Sequence, residues 1–343
     1  MSRRLARGLS TVSLLLAIAT LVSACGLVGW PWDTPMTTVR PKSDFGRLTH
    51  DLFMLISWWT LGIFIVVEAG LVYVCWRFRD RPGAPIPTQV HGHTALEIGW
   101  TVAFAVILLI IGIPTIRIIF KTQEAPAASL DPLRIDVAGR QWWWEFNYPA
   151  LKISTANEVH VPAGRVVDFH LNAPDVIHSF WTPQLGGKRD VVPRRVNRLT
   201  MTPDTPGEYP GQCAEYCGES HANMRFRVVV HAKDDFDRWV AAQLAPPVEP
   251  EGELAQQGKS LFTQLPCVGC HAIRGLSGGA IGPDLTHFGS RRTLASAILP
   301  NTAPNLERWL VNPELIKPGV LMPNLGLSHD QAKALTAYLL SLK

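Results

Sequence analysis

The sequence lacks both a charge imbalance and a basic tract. Its 343 residues carry 32 Lys and Arg against 28 Asp and Glu, a formal net charge of +4, and these charges are dispersed along the chain. Proteins that bind nucleic acid need a basic patch or stripe to contact phosphates. The sequence has no such patch, so we expect no nucleic-acid partner.

Cysteine is also scarce, and its spacing excludes two common uses. The six cysteines include one Cys-x-x-Cys pair, Cys267 and Cys270, and one pair four residues apart, Cys213 and Cys217. A zinc ribbon needs a second Cys-x-x-Cys pair, and the remaining candidates belong to a loop with a different ligand set. A thioredoxin-like redox site needs a βαβ context, which is missing here. Each pair therefore needs its own explanation.

The loop from Cys213 to Met224 combines two thiols, the imidazole of His221 and a thioether. Thiolate and thioether are soft ligands that retain copper, and imidazole completes such a set. A mononuclear blue-copper loop needs one Cys, whereas two Cys flanked by His and Met can bridge two metal ions through both sulfurs. The alternatives are a disulfide, which explains neither His221 nor Met224, and zinc, for which Met is a poor ligand.

A second motif, Cys267-Val-Gly-Cys270-His271, lies nearer the C-terminus. Cys-x-x-Cys-His is the attachment pattern of c-type haem, with two thioether anchors followed by the proximal His. The sequence therefore predicts a covalently bound haem c on Cys267 and Cys270, with His271 as an axial ligand.

The N-terminus has the composition of an export signal. Residues 1–24 begin with three Arg, continue with an apolar run and end in small residues before Cys25, a pattern typical of a signal peptide. Small residues before a Cys resemble a lipoprotein cleavage site, in which Cys25 would become the lipid-bearing first residue. The alternatives are an ordinary signal peptide and an uncleaved helix with an incidental Cys.

Two long apolar runs follow, Leu52–Trp76 and Leu96–Ile116. Each is long enough to cross a bilayer as a helix, so we expect a two-helix transmembrane hairpin within residues 25–122. Three arginines lie just after the first run, and the positive-inside bias places that connection in the cytoplasm. The rest of the chain then lies on the oxidising side, where copper and covalent haem are normally loaded.

Beyond the second run, the hydrophobic periodicity changes twice. Apolar and polar residues alternate between Pro and Gly turns, which predicts the half-buried strands of a β-sandwich over residues 123–243. Residues 244–252 are rich in Pro and acidic residues and predict a semi-rigid linker. Residues 253–343 carry helical spacing at both ends, which predicts a small helical domain.

These motifs together resemble a known family, the CuA-bearing subunit II of cytochrome c oxidase. The resemblance covers roughly residues 45 to 240 and rests on the Cys213 loop, the His-Ser-Phe sequence at His178 and the Gln-Trp-Trp-Trp cluster at Gln141. It implies a cupredoxin-like sandwich that holds binuclear copper. The ligands it implies are His178, Cys213, the backbone carbonyl of Glu215, Cys217, His221 and Met224.

The C-terminal residues resemble an all-α class I cytochrome c, fused to the copper subunit as in caa-type oxidases. The segment 282–285 matches the family's Gly-Pro-x-Leu, which orients the proximal His, and Met322 stands at the position of the distal axial ligand. Gly258, Phe262 and Tyr338 match the residues through which the first and last helices pack. The alternative for Met322 is a buried core methionine.

The same resemblance assigns roles to three further groups. Trp142 corresponds to the residue that receives electrons from cytochrome c, although Trp on a strand is also common in a core. Glu97, at the start of the second span, corresponds to the entrance of a proton-uptake path into subunit I. The side chain of Glu215 corresponds to a ligand of a magnesium ion shared with subunit I.

The expected function is electron transfer and not oxygen reduction itself. Reducing oxygen at a haem–copper centre requires several His ligands within the membrane, and neither predicted span contains a His. The resemblance implies that an external donor reduces the haem, the haem reduces the copper, and the copper feeds a haem in subunit I. The whole complex would reduce oxygen to water and pump protons.

The resemblance also implies a location and partners. These are the bacterial plasma membrane and its lipid, oxidase subunits I and III, and a cytochrome or a quinol-oxidising complex as donor. Two other functions stay open on the sequence alone. One is the CuA-bearing subunit of a nitric oxide reductase, and the other is a free-standing membrane-tethered electron carrier or copper-delivery protein.

Overall fold

The computed structural model describes residues 34–83 and 85–343. The predicted signal segment 1–24 and the predicted lipidation site Cys25 lie outside these described residues. The chain divides into two compact units. Arg47–Ala125 forms one, and Pro126–Lys343, with the residues up to Gly46, forms the other.

The first unit is built on two long helices, α1 (Asp44–Arg77) and α2 (Thr94–Lys121). Both are long and apolar enough to cross a membrane, and both predicted spans lie inside them. Charges sit where the helix dipole favours them, because α1 begins with an acid and ends with a base, and Lys121 lies in the last turn of α2. Most of their large apolar side chains are exposed within the chain.

The second unit begins with the predicted β-sandwich. One sheet has the order β3-β2-β1-β5-β8 and the other β4-β10-β9-β6-β7. The pairs β1/β5 and β4/β10 are parallel, and the others are antiparallel. The strands are β1 Leu133–Arg140, β2 Trp143–Tyr148, β3 Ile153–Ala156, β4 Glu158–Pro162, β5 Val167–Asn172, β6 His178–Trp181, β7 Arg189–Val191, β8 Asn197–Met201, β9 Gly207–Cys213 and β10 Arg225–His231.

The core of the sandwich follows from the period-two pattern. Along β1 the apolar residues Leu133, Ile135 and Val137 are buried between more exposed neighbours, because successive side chains of a strand point to opposite faces. Aromatic rings from both sheets fill the centre. The ring centroids of Phe180 and Phe226 lie 4.4 Å apart, in a stacked arrangement.

One helix of this domain was not predicted from the sequence. Helix α3 (Lys233–Leu244) follows the last strand and buries Phe236, while its Trp239 stacks on His160 with centroids 4.4 Å apart. Arg274, from the next domain, donates hydrogen bonds to the carbonyl oxygens of Gln243 and Leu244. The C-terminal carbonyls of α3 are therefore capped by a cation, the charge that a helix C-terminus favours.

After residues 245–252, which form no helix or strand, the chain folds into the predicted helical domain. Two antiparallel ladders of two residues per strand, β11/β12 and β13/β14, accompany the helices and were not predicted. The helices are α4 Glu253–Gln264, α5 Cys267–Cys270, α6 Ala303–Val311, α7 Pro313–Ile316 and α8 His329–Ser341, and the short strands are Ala272–Ile273, Ser277–Gly278, Thr293–Leu294 and Leu299–Pro300.

The first and last helices of this domain cross through the residues that the resemblance indicates. A Cβ atom added to Gly258 would lie 1.9 Å from the carbonyl oxygen of Ala334, so only glycine permits this approach. Phe262 and Tyr338 meet edge to face, with centroids 5.8 Å apart. The close crossing of α4 and α8 is therefore set by one residue without a side chain.

Candidate functional sites

The predicted copper loop is closed at its base by the β9/β10 pair. Cys213 is the last residue of β9 and Met224 directly precedes β10, and the amide of Cys213 donates to the carbonyl oxygen of Met224 at 2.9 Å. A short 3₁₀ turn, His221–Asn223, carries the imidazole between them. The antiparallel register thus brings together Cys213 and Met224, the first and last predicted ligands of the loop, although they are eleven positions apart in the sequence.

All six predicted ligand groups meet at this loop. The Sγ atoms of Cys213 and Cys217 are 3.8 Å apart, and neither Cys forms a disulfide. Cys217 Sγ lies 3.5 Å from His221 Nδ1 and 3.8 Å from Met224 Sδ, and Cys213 Sγ lies 4.0 Å from His178 Nδ1. The carbonyl oxygen of Glu215 is 3.2 Å from Cys213 Sγ. This donor set of two thiols, two imidazoles, a thioether and a carbonyl suits copper.

The site is dry. Cys213, Cys217, His178 and Met224 are each at most 4% exposed. The contact with the Cys217 thiol lowers the pKa of Cys213, against the opposing effect of burial, whereas the contact with Cys213 and burial both raise the pKa of Cys217. Two sulfurs at this distance therefore do not ionise independently, and a cation between them would favour both thiolates.

His178 is held in position by a residue that the sequence analysis did not identify. Asp175 Oδ1 lies 2.8 Å from His178 Nε2, which leaves Nδ1 to face the sulfur of Cys213. Burial opposes the charge on Asp175, but hydrogen bonds from His178 and from the amides of Gln141 and Val176 lower its pKa. The signal available in the sequence was an acid three residues before the predicted ligand.

Gly139 on β1 makes room for the same imidazole. A Cβ atom there would lie 2.9 Å from the His178 ring, closer than side chains approach. The sequence pattern of β1 does not reveal this requirement, because it depends on a neighbouring strand. His178 is therefore fixed by Asp175 on one side and packed against bare backbone on another.

Trp142, the predicted electron-accepting residue, contacts the copper loop directly. Its indole Nε1 donates to the carbonyl oxygen of Cys217 at 2.9 Å, and the side-chain amide of Gln141 donates to the same oxygen at 2.7 Å. Trp142 is 8% exposed. Trp144, two residues later, lies wholly in the sandwich core and packs on Phe180 and Phe226. The two tryptophans thus have different environments.

The predicted haem-attachment residues lie on a single helical turn. Helix α5 runs from Cys267 to Cys270, and His271 follows in extended conformation. His271 Nδ1 lies 2.8 Å from the carbonyl oxygen of Pro283, which leaves Nε2 available to a metal. A Cβ atom on Gly282 would lie 2.6 Å from the His271 ring, so this segment forms a close cradle for it. Burial lowers the pKa of His271 and so favours the neutral ligand form.

The helical domain fits a haem in two further respects. Cys267 and Met322 both pack, partly buried, against the same apolar cluster. Buried polar atoms without a hydrogen-bond partner include both ring nitrogens of His287 and the Nε atom of Arg291. Haem carries carboxylates that suit an unpaired guanidinium N–H. Nothing in the local sequence marks Arg291, because its burial depends on the tertiary fold.

Two further predicted residues have side chains that are exposed within the chain. Glu97, in the first turn of α2, accepts a hydrogen bond from the amide of His93 at 3.2 Å and is exposed within the chain. The Glu215 side chain, predicted as a magnesium ligand, is exposed while its carbonyl lies at the sulfurs. The geometry of the chain leaves both roles as predictions.

Comparisons with known families match three parts of the chain. Residues 42–118 match the transmembrane domain of cytochrome c oxidase subunit II, residues 150–233 match its periplasmic domain, and residues 255–343 match cytochrome c. These segments correspond to the two apolar helices, the sandwich and the helical domain.

Two curated relatives match nearly the whole chain. The chain is 39% identical to a cytochrome c oxidase subunit 2 of Alkalihalophilus pseudofirmus over 92% of its own length and 94% of that protein. It is 33% identical to a subunit 2 of Bacillus subtilis over 97% of both chains. Among solved structures, the periplasmic domain of subunit II of cytochrome oxidase from Bradyrhizobium japonicum is 31% identical, with a TM-score of 0.32, over 32% of this chain and 92% of that one.

Proposed function

Since the chain belongs to the cytochrome c oxidase subunit II family and carries a cytochrome c domain, we propose that it accepts electrons on a haem c and passes them through a binuclear copper centre to subunit I. The observation that carries this proposal is the convergence of two thiols, a thioether, two imidazoles and a backbone carbonyl at the Cys213–Met224 loop. The same compact unit contains a haem-attachment motif.

The copper would be held by His178, Cys213, Cys217, His221, Met224 and the carbonyl of Glu215. Bound copper supplies one-electron chemistry. The chain's own contribution is a largely buried ligand set in a fixed position, because Asp175 orients His178 and the β9/β10 pair closes the loop. A ligand set that does not rearrange between redox states keeps the reorganisation energy of electron transfer small.

The haem would be attached through Cys267 and Cys270, with His271 and Met322 as axial ligands. Haem c supplies a second one-electron centre. The carbonyl oxygen of Pro283 accepts a hydrogen bond from Nδ1 of His271, which would leave Nε2 as the nitrogen that binds the iron. Trp142 lies between the two domains and contacts the carbonyl oxygen of the copper ligand Cys217, which supports its role in receiving the electron.

The remaining assignments extend the proposal to the complex. The two apolar helices would anchor the chain in a bacterial plasma membrane, with both redox domains outside, and would contact subunit I and, through the complex, subunit III. Glu97 would mark the entrance of a proton-uptake path, Glu215 would share a magnesium ion with subunit I, and Cys25 would carry lipid. The complex would reduce oxygen to water and pump protons, with a cytochrome or quinol-oxidising complex as the upstream donor.

A cofactor count on the purified full-length chain tests the redox assignment. Two copper ions for each covalently attached haem are expected, together with the near-infrared absorption of a binuclear copper centre. A single copper ion would contradict the binuclear site. Absence of covalent haem would contradict the attachment through Cys267 and Cys270.

Mild detergent extraction tests the assignment as a subunit. The chain should co-purify with a large partner that binds further haem, since its predicted spans Leu52–Trp76 and Leu96–Ile116 contain no His. A loaded chain that leaves the membrane alone would instead indicate a free-standing electron carrier.

A further inference from the structure

The helical domain rests on the copper loop through the segment that leads to Met322. Ser220, within the loop, donates its hydroxyl to the carbonyl oxygen of Pro318 at 2.5 Å. A Cβ atom on Gly319 would lie 2.6 Å from the Glu219 carboxylate, so this glycine permits close contact. The two predicted redox centres are therefore joined by neighbouring backbone segments.

A buried lysine lies at the centre of this contact. Lys317 is 3% exposed, and its ammonium donates to the carbonyl oxygen of Trp142 and to the hydroxyl of Ser296, the latter at 2.6 Å. Ser296 in turn donates to the same Trp142 carbonyl at 2.9 Å. Lys317 and Ser296 belong to the helical domain and Trp142 to the sandwich, so these hydrogen bonds cross between domains.

Burial of this lysine is costly, which indicates a specific use. Among the described residues, no carboxylate forms an ion pair with Lys317. Burial lowers its pKa to about 7. An apolar side chain would fill the same space without the desolvation cost of an ammonium group. What the lysine adds is a directed donor to one peptide group, that of Trp142.

That peptide belongs to a residue whose side chain contacts the copper loop. The Trp142 indole donates to the carbonyl oxygen of Cys217, while the Trp142 carbonyl accepts from Lys317 and Ser296. One residue thus contacts a predicted copper ligand with its side chain and the helical domain with its backbone. Displacing either contact would move the indole relative to the other domain.

We propose that Lys317, together with Ser296, is a positioning residue that holds the helical domain on the Trp142 peptide, in the arrangement from which the tethered haem delivers electrons to the copper. The proposal rests on the proposed function. In the step it serves, the haem iron loses one electron and the copper centre gains that electron. No bond forms or breaks, and Lys317 and Trp142 keep their protons.

A second interdomain contact provides an independent measure of docking. The buried carboxylate of Glu158 accepts hydrogen bonds from the amide of Thr293 at 2.7 Å, its hydroxyl at 2.6 Å and the amide of Arg292 at 3.2 Å. These amides donate across the interface, so their hydrogen exchange reports whether the domains stay together. The readout does not depend on enzyme turnover.

The test compares Lys317→Met with Lys259→Met in the full-length chain of the purified oxidase. Lys259 pairs with Glu249 and is a control for loss of a lysine elsewhere in the same domain. Haem-to-copper electron transfer is followed after flash photoreduction of the haem. Losing this buried hydrogen-bond donor should weaken docking and slow transfer about tenfold or more, and exchange at residues 292–293 should rise. Lys317→Arg should recover part of the rate.

Two results would overturn the proposal. One is an unchanged transfer rate in a Lys317→Met protein that still holds copper and haem, and the other is slow transfer with unchanged exchange at residues 292–293. If Lys317→Met fails to load its cofactors, Ser296→Ala becomes the deciding variant, and an unchanged rate there also overturns it. A parent chain without binuclear copper or haem would instead contradict the proposed function.

Discussion

The sandwich and the helical domain build their redox sites in different ways. In the sandwich, strand register, the imidazole of His178 on β6 and the partly exposed carboxylate of Asp175 bring the predicted copper ligands within about the contact distance of sulfur atoms. The polypeptide alone therefore assembles this site. In the helical domain, His271 follows a single turn and Met322 lies in a stretch without helix or strand. The predicted copper site is therefore preformed by the polypeptide, whereas the predicted haem site depends on the haem that it would bind.

The hydrophobic core of the sandwich is also more complete than that of the helical domain. The sandwich buries a continuous cluster from both sheets, including Trp144, Phe146, Phe180 and Phe226. In the helical domain the predicted attachment residue Cys267 and the predicted axial ligand Met322 are only partly buried at the edge of a smaller cluster. A bound haem would cover these side chains, so its binding free energy would contribute to folding of this domain.

We expect the largest change in domain stability when covalent haem is lost. Replacing both Cys267 and Cys270 with Ser should remove cooperative unfolding of the helical domain, a loss of about 5 kcal/mol, which is the whole stability of a small domain. Thermal unfolding followed by circular dichroism measures this. Removal of copper with a chelator is the matched treatment, and it should leave the sandwich folded. A helical domain that still melts cooperatively without haem would break the comparison.

The next largest effect is the loss of the copper site alone. Cys217→Ser should abolish the near-infrared copper absorption, because one of two adjacent sulfurs is removed, while the haem c spectrum stays unchanged. Cys75→Ser is the control, since Cys75 is an exposed free cysteine on α1. Simultaneous loss of both spectra would mean that the two domains do not fold independently.

Met322→Ala tests whether the half-buried methionine completes the haem site. Thioether ligation raises a haem potential, and axial ligands set haem potentials over a range of about 0.8 V. We expect the potential to fall by on the order of 100 mV in a redox titration. Leu321→Ala changes the preceding exposed residue and should have little effect. An unchanged spectrum and potential in Met322→Ala would identify it as a packing residue.

A pair of glycine substitutions gives the smallest effect and compares backbone packing in the two domains. A Cβ on Gly258 would meet the Ala334 carbonyl, and one on Gly211 would meet the Phe226 ring at 2.2 Å. Each change to Ala should lower the unfolding free energy of its own domain by about 1–3 kcal/mol. Gly278→Ala meets nothing within 4 Å and serves as the control. Equal destabilisation by Gly278→Ala would refute the steric explanation.

The parts of the site that are local in sequence could be predicted from the sequence. Spacing alone brings together Cys213, Cys217, His221 and Met224, and the haem motif is contiguous. His178 lies 35 positions from Cys213, so it was found only through resemblance to a family. The contacts that Asp175 and Gly139 make with the His178 ring depend on how the strands are arranged in the fold, so the sequence alone does not show them.

Interdomain contacts could not be predicted for a related reason. Lys317 and Ser296 belong to irregular segments of the helical domain, and nothing in their local sequence marks them as buried. Helix α3 was missed because it follows almost directly on the last strand, β10. Periodicity predicts elements and their apolar faces, but not which polar group meets another across a domain boundary.

The capping of α3 by Arg274 has a kinetic consequence for the proposed relay. Because Arg274 holds the end of α3, the chain between the domains is free only over a few residues. A short tether gives its two ends an effective concentration on the order of millimolar. Electron delivery to copper would then be first order, independent of how much soluble carrier the compartment contains. Salt weakens encounters between charged proteins in solution, but it would have little effect on the rate of this electron transfer within one chain.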